Sequence, residues 1–325
     1  MRLSATREVW PIAGTFRISR GAKSEAEVVV CTVEAGGVSG RGECVPYRRY
    51  GETVEGVLAD LERVAPRLSD GIGPAAAANL LPPGAARNAL DCALWDLAAK
   101  ALGVPAWRLA GLPPPGPHVT CFTLSLDTPE KMAEAARAAA DKPLLKLKLG
   151  GAGDVERVAA VREAAPSARL VVDANEAWRP EDVLPFARAM APLGVELIEQ
   201  PLPAGADEAL AGIDCPIPLC ADESCHDRAG LAALASRYSH INVKLDKTGG
   251  LTEAVALARA ARALGLGLMV GCMVGTSLGM APAALVAGLA DFVDLDGPLL
   301  LARDREPGIV YAAGIMSPPP AALWG

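Results

Sequence analysis

Apolar and polar positions along the chain fall into two regimes. From about His118 onward a unit recurs: a short apolar run, a turn, then an Ala-rich stretch with helical spacing. The runs are VTCFTLSL (119–126), LLKLKLG (144–150), RLVVDAN (169–175), VELIEQPL (195–202), IPLCADES (217–224), HINVKL (240–245), GLMVGCM (267–273) and FVDLDGP (292–298). Such runs alternating with helical segments predict parallel βαβ units, and eight of them predict a (β/α)8 TIM-type barrel of the α/β class. Several open apolar and close on charged residues, which puts chemistry at the carboxyl ends of the strands.

The first 110 or so residues follow a different pattern. EVVVCTVE and VSGRGECV flank a glycine turn, as an antiparallel hairpin requires, and residues 53–68 and 85–102 have helical spacing. GLPPPGP (111–117) is a linker. The predicted organisation is an α+β capping domain over 1–112, the barrel over 113–299, and a tail, 300–325, packing back on the cap.

Composition narrows the function. A net charge of -7 without a basic run argues against nucleic acid as a partner. The eight cysteines are scattered in apolar stretches without CxxC pairs, as free thiols in a reducing compartment would be. No signal peptide is evident at the start, so a cytoplasmic protein is expected. Residues 263–290 carry no charge, yet glycines, Pro282, Thr276 and Ser277 interrupt them too often for a membrane span, and a buried strand followed by a helix is expected. None of the three histidines falls where a catalytic one is expected, and a homo-oligomer is compatible with the pattern.

Strands three, four and five end in Asp173, Glu199 and Asp222. Parallel neighbours place equivalent ends side by side, so these carboxylates are expected to converge and to need a cation; an all-oxygen set suits Mg2+. Asn175 and Gln200 are expected as supporting groups, with Glu223 turned to the opposite face. Lys146 and Lys148 share one face of strand two, and Lys244 lies on strand six, across the mouth. One lysine on each side of a bound substrate suits removal of a proton next to a carboxylate and its return from the other face. That role calls for lysines whose pKa is lowered by burial and nearby cations, with Lys146 as the cation beside Lys148. Lys247 is expected to be structural.

In order, KLK (146–148), VDAN (172–175), IEQPLP (198–203), ADES (221–224) and NVKLDKTGG (242–250) resemble the enolase superfamily, in its muconate-lactonizing-enzyme subgroup. GCMVGTS (271–277) and DLDGP (294–298) resemble the dipeptide epimerases of the L-Ala-D/L-Glu type within it. The resemblance implies two-base inversion of the C-terminal residue of a dipeptide, with Lys148 and Lys244 as catalysts and Asp173, Glu199 and Asp222 on Mg2+. It further implies Asp294 and Asp296 on the substrate ammonium, and Cys272 and Met273 in the pocket. A mobile cap loop, here residues 16–27, is expected to set specificity: Arg20 and Lys23 suit a side-chain carboxylate, with Thr123 lining the same pocket. Many subgroup members carry an acid where this chain has Gly275.

Two other reactions fit the same scaffold: a lyase or cycloisomerase such as o-succinylbenzoate synthase, and N-acylamino acid racemisation. Both lack a use for an ammonium-binding pair such as Asp294 and Asp296. A non-catalytic binding barrel would have no use for matched lysines.

Overall fold

The computed structural model describes residues 1–69 and 71–325. The cap begins with an antiparallel sheet of β1 (Arg2–Ile18), β2 (Gly21–Ala35) and β3 (Val38–Cys44). The β2–β3 pair is the expected hairpin. Strand β1 left no apolar run to read, because among its 17 residues only Ile12 is fully buried. The expected cap loop 16–27 takes the form of the tip of the β1–β2 hairpin. Phe16 pairs with Lys23, Arg17 with Ala22 and Ile18 with Gly21, leaving only Ser19 and Arg20 as the turn.

Two long cap helices follow, Val54–Val64 and Ala85–Leu102, with shorter helical turns around them. The first starts at Thr53, whose side chain accepts from Gly56 N, and turns Val54, Val57, Leu61 and Val64 inward. The second is buried on most of its circumference because it is wedged between β3 and the barrel. Gly40 and Gly42 permit its close approach to β3: a Cβ at either would stand 2.2 Å from a helix carbonyl, Ala93 O or Ala89 O.

A two-residue strand, β4 (His118–Val119), precedes the barrel. The eight barrel strands are β5 (Phe122–Leu124), β6 (Leu144–Lys148), β7 (Arg169–Asp173), β8 (Val195–Glu199), β9 (Leu219–Ala221), β10 (His240–Lys244), β11 (Gly267–Gly271) and β12 (Phe292–Asp294). They run parallel in sequence order, and Cys121 N donating to Val293 O (2.8 Å) brings the first and last together. The helical ring is uneven: only a 3-10 turn (Glu208–Leu210) follows β8, and another (Gly297–Leu300) follows β12.

Period-two alternation divides each strand between two environments. Leu145, Leu147 and Leu149 face the helices, in the large cluster with Val172, Ile198 and Val243. Inside, Cys121, Leu144, Val171, Leu197, Cys220, Met269 and Phe292 form a separate apolar plug. The buried lysines and carboxylates at the strand ends, Lys146, Lys148, Asp173, Glu199, Lys244 and Asp294, lie above it.

The tail makes contacts on both sides. β13 (Tyr311–Ala312) and β14 (Ile315–Met316) form a small sheet with β4. Leu301 bridges to Ile12, Trp324 Nε1 donates to Cys92 O (3.1 Å), and Gly325 N donates to Asp96 Oδ1 (2.7 Å), so other tail residues hold the cap. All eight cysteines are free. Among the described residues no helix is long and apolar enough to cross a membrane.

Candidate active site

Strand register sets the site. Lys148 lies opposite Asp173, Asp173 opposite Glu199, Lys244 opposite Gly271, and Gly271 opposite Asp294. With β6 and β10 four strands apart among eight, Lys148 and Lys244 stand across the mouth from each other. All of these side chains are buried, Lys148 at 7% and Lys244 at 6% exposure.

Asp173, Glu199, Asp222 and Asp294 each have an ammonium partner. Lys148 Nζ lies 2.5 Å from Asp173 Oδ2 and Lys244 Nζ 2.6 Å from Asp222 Oδ2. Lys146, deeper on the same face as Lys148, reaches Glu199 (2.5 Å), Asp294 (2.7 Å) and Asp173 (3.3 Å). Lys247 is fully buried and donates to Asp222 Oδ1 (2.6 Å), to Asn242 O (3.0 Å) and to Asp222 O. The expected convergence of three carboxylates is therefore looser than alternation alone implies. Among the described residues no three acidic, His or Cys side chains stand close enough to grip one ion. The lysines occupy the space between them.

The electrostatics follow from these pairs. Burial alone would raise the Asp173 carboxyl, but Lys148 and Lys146 outweigh it and hold it at about 2. Asp222 is likewise pulled well below the usual range by Lys244 and Lys247, against its burial. Glu199 goes the other way: burial and the charge of Asp173 push it up to about 7. For Lys244, burial acts downward, yet Asp222 and Glu199 prevail and the ammonium is held well above its ordinary value. Lys146 is held up in the same way by Asp294, Glu199 and Asp173. The expectation of a base lowered by burial thus fails for Lys244, because the carboxylates beside it outweigh its burial, whereas Lys146 is held as the ammonium that was expected there.

The ends of β7 and β8 are held by unusual backbone. Asn175, Glu176 and Gln200 all take positive φ, at 45°, 68° and 36°. Gln200 links the strand ends: its Oε1 accepts from Asp222 N (2.9 Å) and Ser224 N (3.2 Å), and its Nε2 donates to Tyr238 Oη (3.1 Å) and Leu202 O (2.8 Å). Asn175 N donates to Asp173 Oδ1 (2.9 Å), and Asn242 Nδ2 to Glu199 Oε1 (2.7 Å). The TGG after Lys247 has a packing reason, since Cβ atoms on Gly249 and Gly250 would stand 2.2 Å from Arg87 Nε and 2.4 Å from Asp91 Cβ on the cap helix.

Glu223 corrects the sequence reading. Strand β9 ends at Ala221, so alternation no longer governs position 223, and Glu223 is buried at the mouth rather than on the opposite face. There it meets Arg20, whose Nη2 donates to Glu223 Oε1 (2.7 Å) and to Tyr47 Oη (3.2 Å). Arg20 Nη1 donates to Asn175 O (2.8 Å) and Glu176 Oε2 (2.9 Å). Arg20 therefore reaches the site as expected, though its guanidinium is engaged by protein carboxylates. Lys23 does not join it and lies 5.3 Å over the Tyr47 ring. Two cap aromatics went unnoticed: Tyr47, and Tyr50, whose ring meets His226 edge-on at 4.6 Å. Their only local signal was the YRRY stretch beside the helical turn Arg48–Tyr50.

The opposite wall holds the eighth-strand acids. Asp294 is bound by Lys146, while Asp296 Oδ2 accepts from Thr123 N (2.7 Å), so Thr123 contributes through its backbone. Burial and Asp294 raise Asp296 to about 7. Cys272 and Met273 follow β11 on the same side, both half-buried, and burial with Asp294 and Asp296 pushes the Cys272 thiol well up. Beside Gly275 another residue brings a carboxylate: Glu43, from β3 of the cap, accepts from Thr276 N (2.8 Å) and Arg305 Nη2 (2.8 Å). A Cβ on Gly275 would stand 3.1 Å from Glu43 Oε1.

Comparison with known proteins places this geometry. Residues 1–111 match the family model of the mandelate racemase/muconate lactonizing enzyme N-terminal domain, and residues 131–319 match the enolase C-terminal domain-like model. The chain is 48% identical over 309 residues to the L-Ala-D/L-Glu epimerase of Escherichia coli K12, covering 94% of this chain and 96% of that protein. An enolase-family protein of Agrobacterium tumefaciens with homology to dipeptide epimerases, solved with sodium and L-Ala-L-Glu, superposes with a TM-score of 0.97 at 52% identity over 99% of both chains. The dipeptide epimerase of Enterococcus faecalis V583, solved with Mg and L-Leu-L-Tyr, gives 0.91 at 28% identity over 99% of this chain and 98% of that one. With both of its halves matched and its barrel and cap reproduced, the chain belongs to the mandelate racemase/muconate lactonizing enzyme family of the enolase superfamily.

Proposed function

We propose that the protein is a Mg2+-dependent dipeptide epimerase that inverts the α-carbon of the C-terminal residue in dipeptides of the L-Ala-D/L-Glu type. The observation that carries it is the pair of buried lysines on opposite sides of the mouth, Lys148 on β6 and Lys244 on β10. The activity named for the Escherichia coli relative and the Mg and dipeptide in the Enterococcus faecalis structure support the same reading.

Asp173, Glu199 and Asp222 are the residues that would hold the ion. They offer an all-oxygen donor set, and Glu199 Oε2 is buried without a hydrogen bond although Lys146 Nζ is 2.5 Å away. When bound, Mg2+ supplies the positive charge that offsets the charge building on the substrate carboxylate as the neighbouring carbon loses its proton. For the carboxylates to share the ion, Lys148 and Lys244 must let go of Asp173 and Asp222. That release removes the largest upward influence on the Lys244 ammonium and leaves burial to act downward, as a base requires. One lysine, as the neutral amine, takes the α-proton; the other, as the ammonium, delivers a proton to the opposite face. Asp294 Oδ1, buried and without a hydrogen bond, and Asp296 form the acceptor pair for the dipeptide's free ammonium. Such dipeptides derive from cell-wall peptide, and the enzyme would serve its recycling in the cytoplasm.

Incubation with L-Ala-D-Glu and MgCl2 in D2O tests the proposal. Deuterium should enter the α-position of the glutamate while the L-Ala-L-Glu epimer accumulates; no exchange with any acidic dipeptide overturns it.

A further inference from the structure

Glu223 stands at a junction that neither the catalytic lysines nor the eighth-strand acids explain. It is 3% exposed and follows Asp222 directly. One of its oxygens, Oε1, accepts from Arg20 Nη2 at 2.7 Å; the other, Oε2, is buried without a hydrogen-bond partner. Beside it Asn175 Oδ1 is also buried without a partner, and Asn175 Nδ2 lies 3.4 Å from Glu223 Oε1.

Arg20 belongs to the two-residue turn of the β1–β2 hairpin, whose flanks also touch the barrel, with Lys148 Nζ 5.9 Å over the Phe16 ring and Ser125 Oγ donating to Thr15 O (3.3 Å). Ser19 Oγ donates to Asn175 O (3.0 Å), Leu126 N donates to Arg17 O (3.0 Å), and Arg17 N donates to Ser125 Oγ (3.2 Å). Through Arg20 the tip is tied to Glu223, next to Asp222, to Asn175, whose N–H holds Asp173, and also to Glu176 Oε2 (2.9 Å) and Tyr47 Oη (3.2 Å). The tip is thus fastened to the immediate neighbours of two of the proposed Mg2+ ligands. A buried carboxylate oxygen without a partner is costly, and a second cation arriving nearby relieves that cost while repelling the guanidinium that shares the carboxylate.

We propose that Glu223 is a positioning residue coupling the hairpin to the ion site: it helps hold Arg20 down, and on arrival of the divalent cation trades the guanidinium for the cation's charge, loosening the tip. The inference rests on the reading of Asp173, Glu199 and Asp222 as the ion's ligands. It gives binding an order, with the ion unfastening the hairpin before the dipeptide enters and releasing Arg20 for the substrate. Since coupling between two sites is reciprocal, Arg20 must weaken ion binding by the factor with which the ion loosens Arg20.

The test uses calorimetric titration of the chelator-stripped protein with MgCl2, in the wild type, Arg20→Gln, Glu223→Gln and the double variant. Arg20→Gln should tighten Mg2+ about fivefold while Glu223 is present, at the low end of coupling between sites, and by less than twofold in the Glu223→Gln background. An equal change in both backgrounds overturns the role of Glu223. Trypsin gives a readout on the unsubstituted chain, should a variant fail to fold. Mg2+ should speed cleavage of the Arg20–Gly21 bond by a similar factor, and an unchanged or slower cut overturns the proposal. Asp222→Asn separates the two levels: undiminished Mg2+ affinity there sinks the ligand reading itself, whereas lost affinity with an additive Arg20/Glu223 cycle sinks only the coupling.

Discussion

Lys247→Met measures how much of the Asp222 charge the protein itself neutralises. Methionine keeps most of the volume of the side chain, so the cost is not a cavity. The ammonium it removes is fully buried and donates to Asp222 Oδ1, Asp222 O and Asn242 O. Breaking a buried ion pair costs about 3–5 kcal/mol. Lys244 remains on Asp222 Oδ2, which favours the lower end, about 3 kcal/mol. Roughly 1 kcal/mol of this belongs to the two carbonyls that lose a donor, and it persists whatever binds nearby. The remainder belongs to the carboxylate, and a divalent ion on Asp222 offsets it. At about 2 cal/mol/K of unfolding entropy per residue, 325 residues give about 1.5 °C per kcal/mol. Thermal melts followed by circular dichroism should then show a Tm lowered by about 4–5 °C in chelator but only about 1–2 °C in saturating Mg2+. An equal drop in both conditions refutes Asp222 as a ligand; no drop in chelator refutes the worth of the buried pair.

Removing either base should split the reaction into halves. Lys148→Ala and Lys244→Ala are each expected to lower epimerisation by roughly 100- to 10,000-fold, while each retains α-proton exchange with one epimer only, read by NMR in D2O. Asp296→Asn should raise KM for L-Ala-D-Glu by about tenfold or more, with little change for an N-acetylated analogue lacking the ammonium. Stability should carry a signature of Asp91, on the cap helix, which burial raises from 3.8 to about 7 although Thr252 hydrogen-bonds to it. A folded pKa above the unfolded one contributes stability that is present in full below the unfolded value and is lost as pH rises through about 7. Three units correspond to about 4 kcal/mol. Denaturant unfolding should show the wild type losing stability from pH 5 to 8 more steeply than Asp91→Asn; parallel slopes would dispose of the idea.

The barrel was legible because each strand carries its own signal. In LLKLKLG the alternation alone places Lys146 and Lys148 on one face, and the structure puts both inside. Prediction fails where a strand stops early. Glu223 was assigned by extending β9 two residues beyond Ala221. The state of Lys244 was misjudged because burial was weighed without Asp222 and Glu199, which the two preceding strands bring beside it. Contacts between cap and barrel, such as Glu43 on Thr276 or Tyr50 against His226, have no local pattern at all, because their partners lie more than 170 positions away.

The apolar plug of Cys121, Leu144, Val171, Leu197, Cys220, Met269 and Phe292 makes the barrel a cup instead of a tube. The lower half is filled by these apolar side chains, so a hydrogen taken from substrate by Lys148 or Lys244 is expected to exchange with water through the mouth, past the hairpin. How often a turnover hands back the original hydrogen instead of one from water is thereby a clock on the rim: isotope retained in recovered substrate compares the opening of the cup with the lifetime of the deprotonated dipeptide.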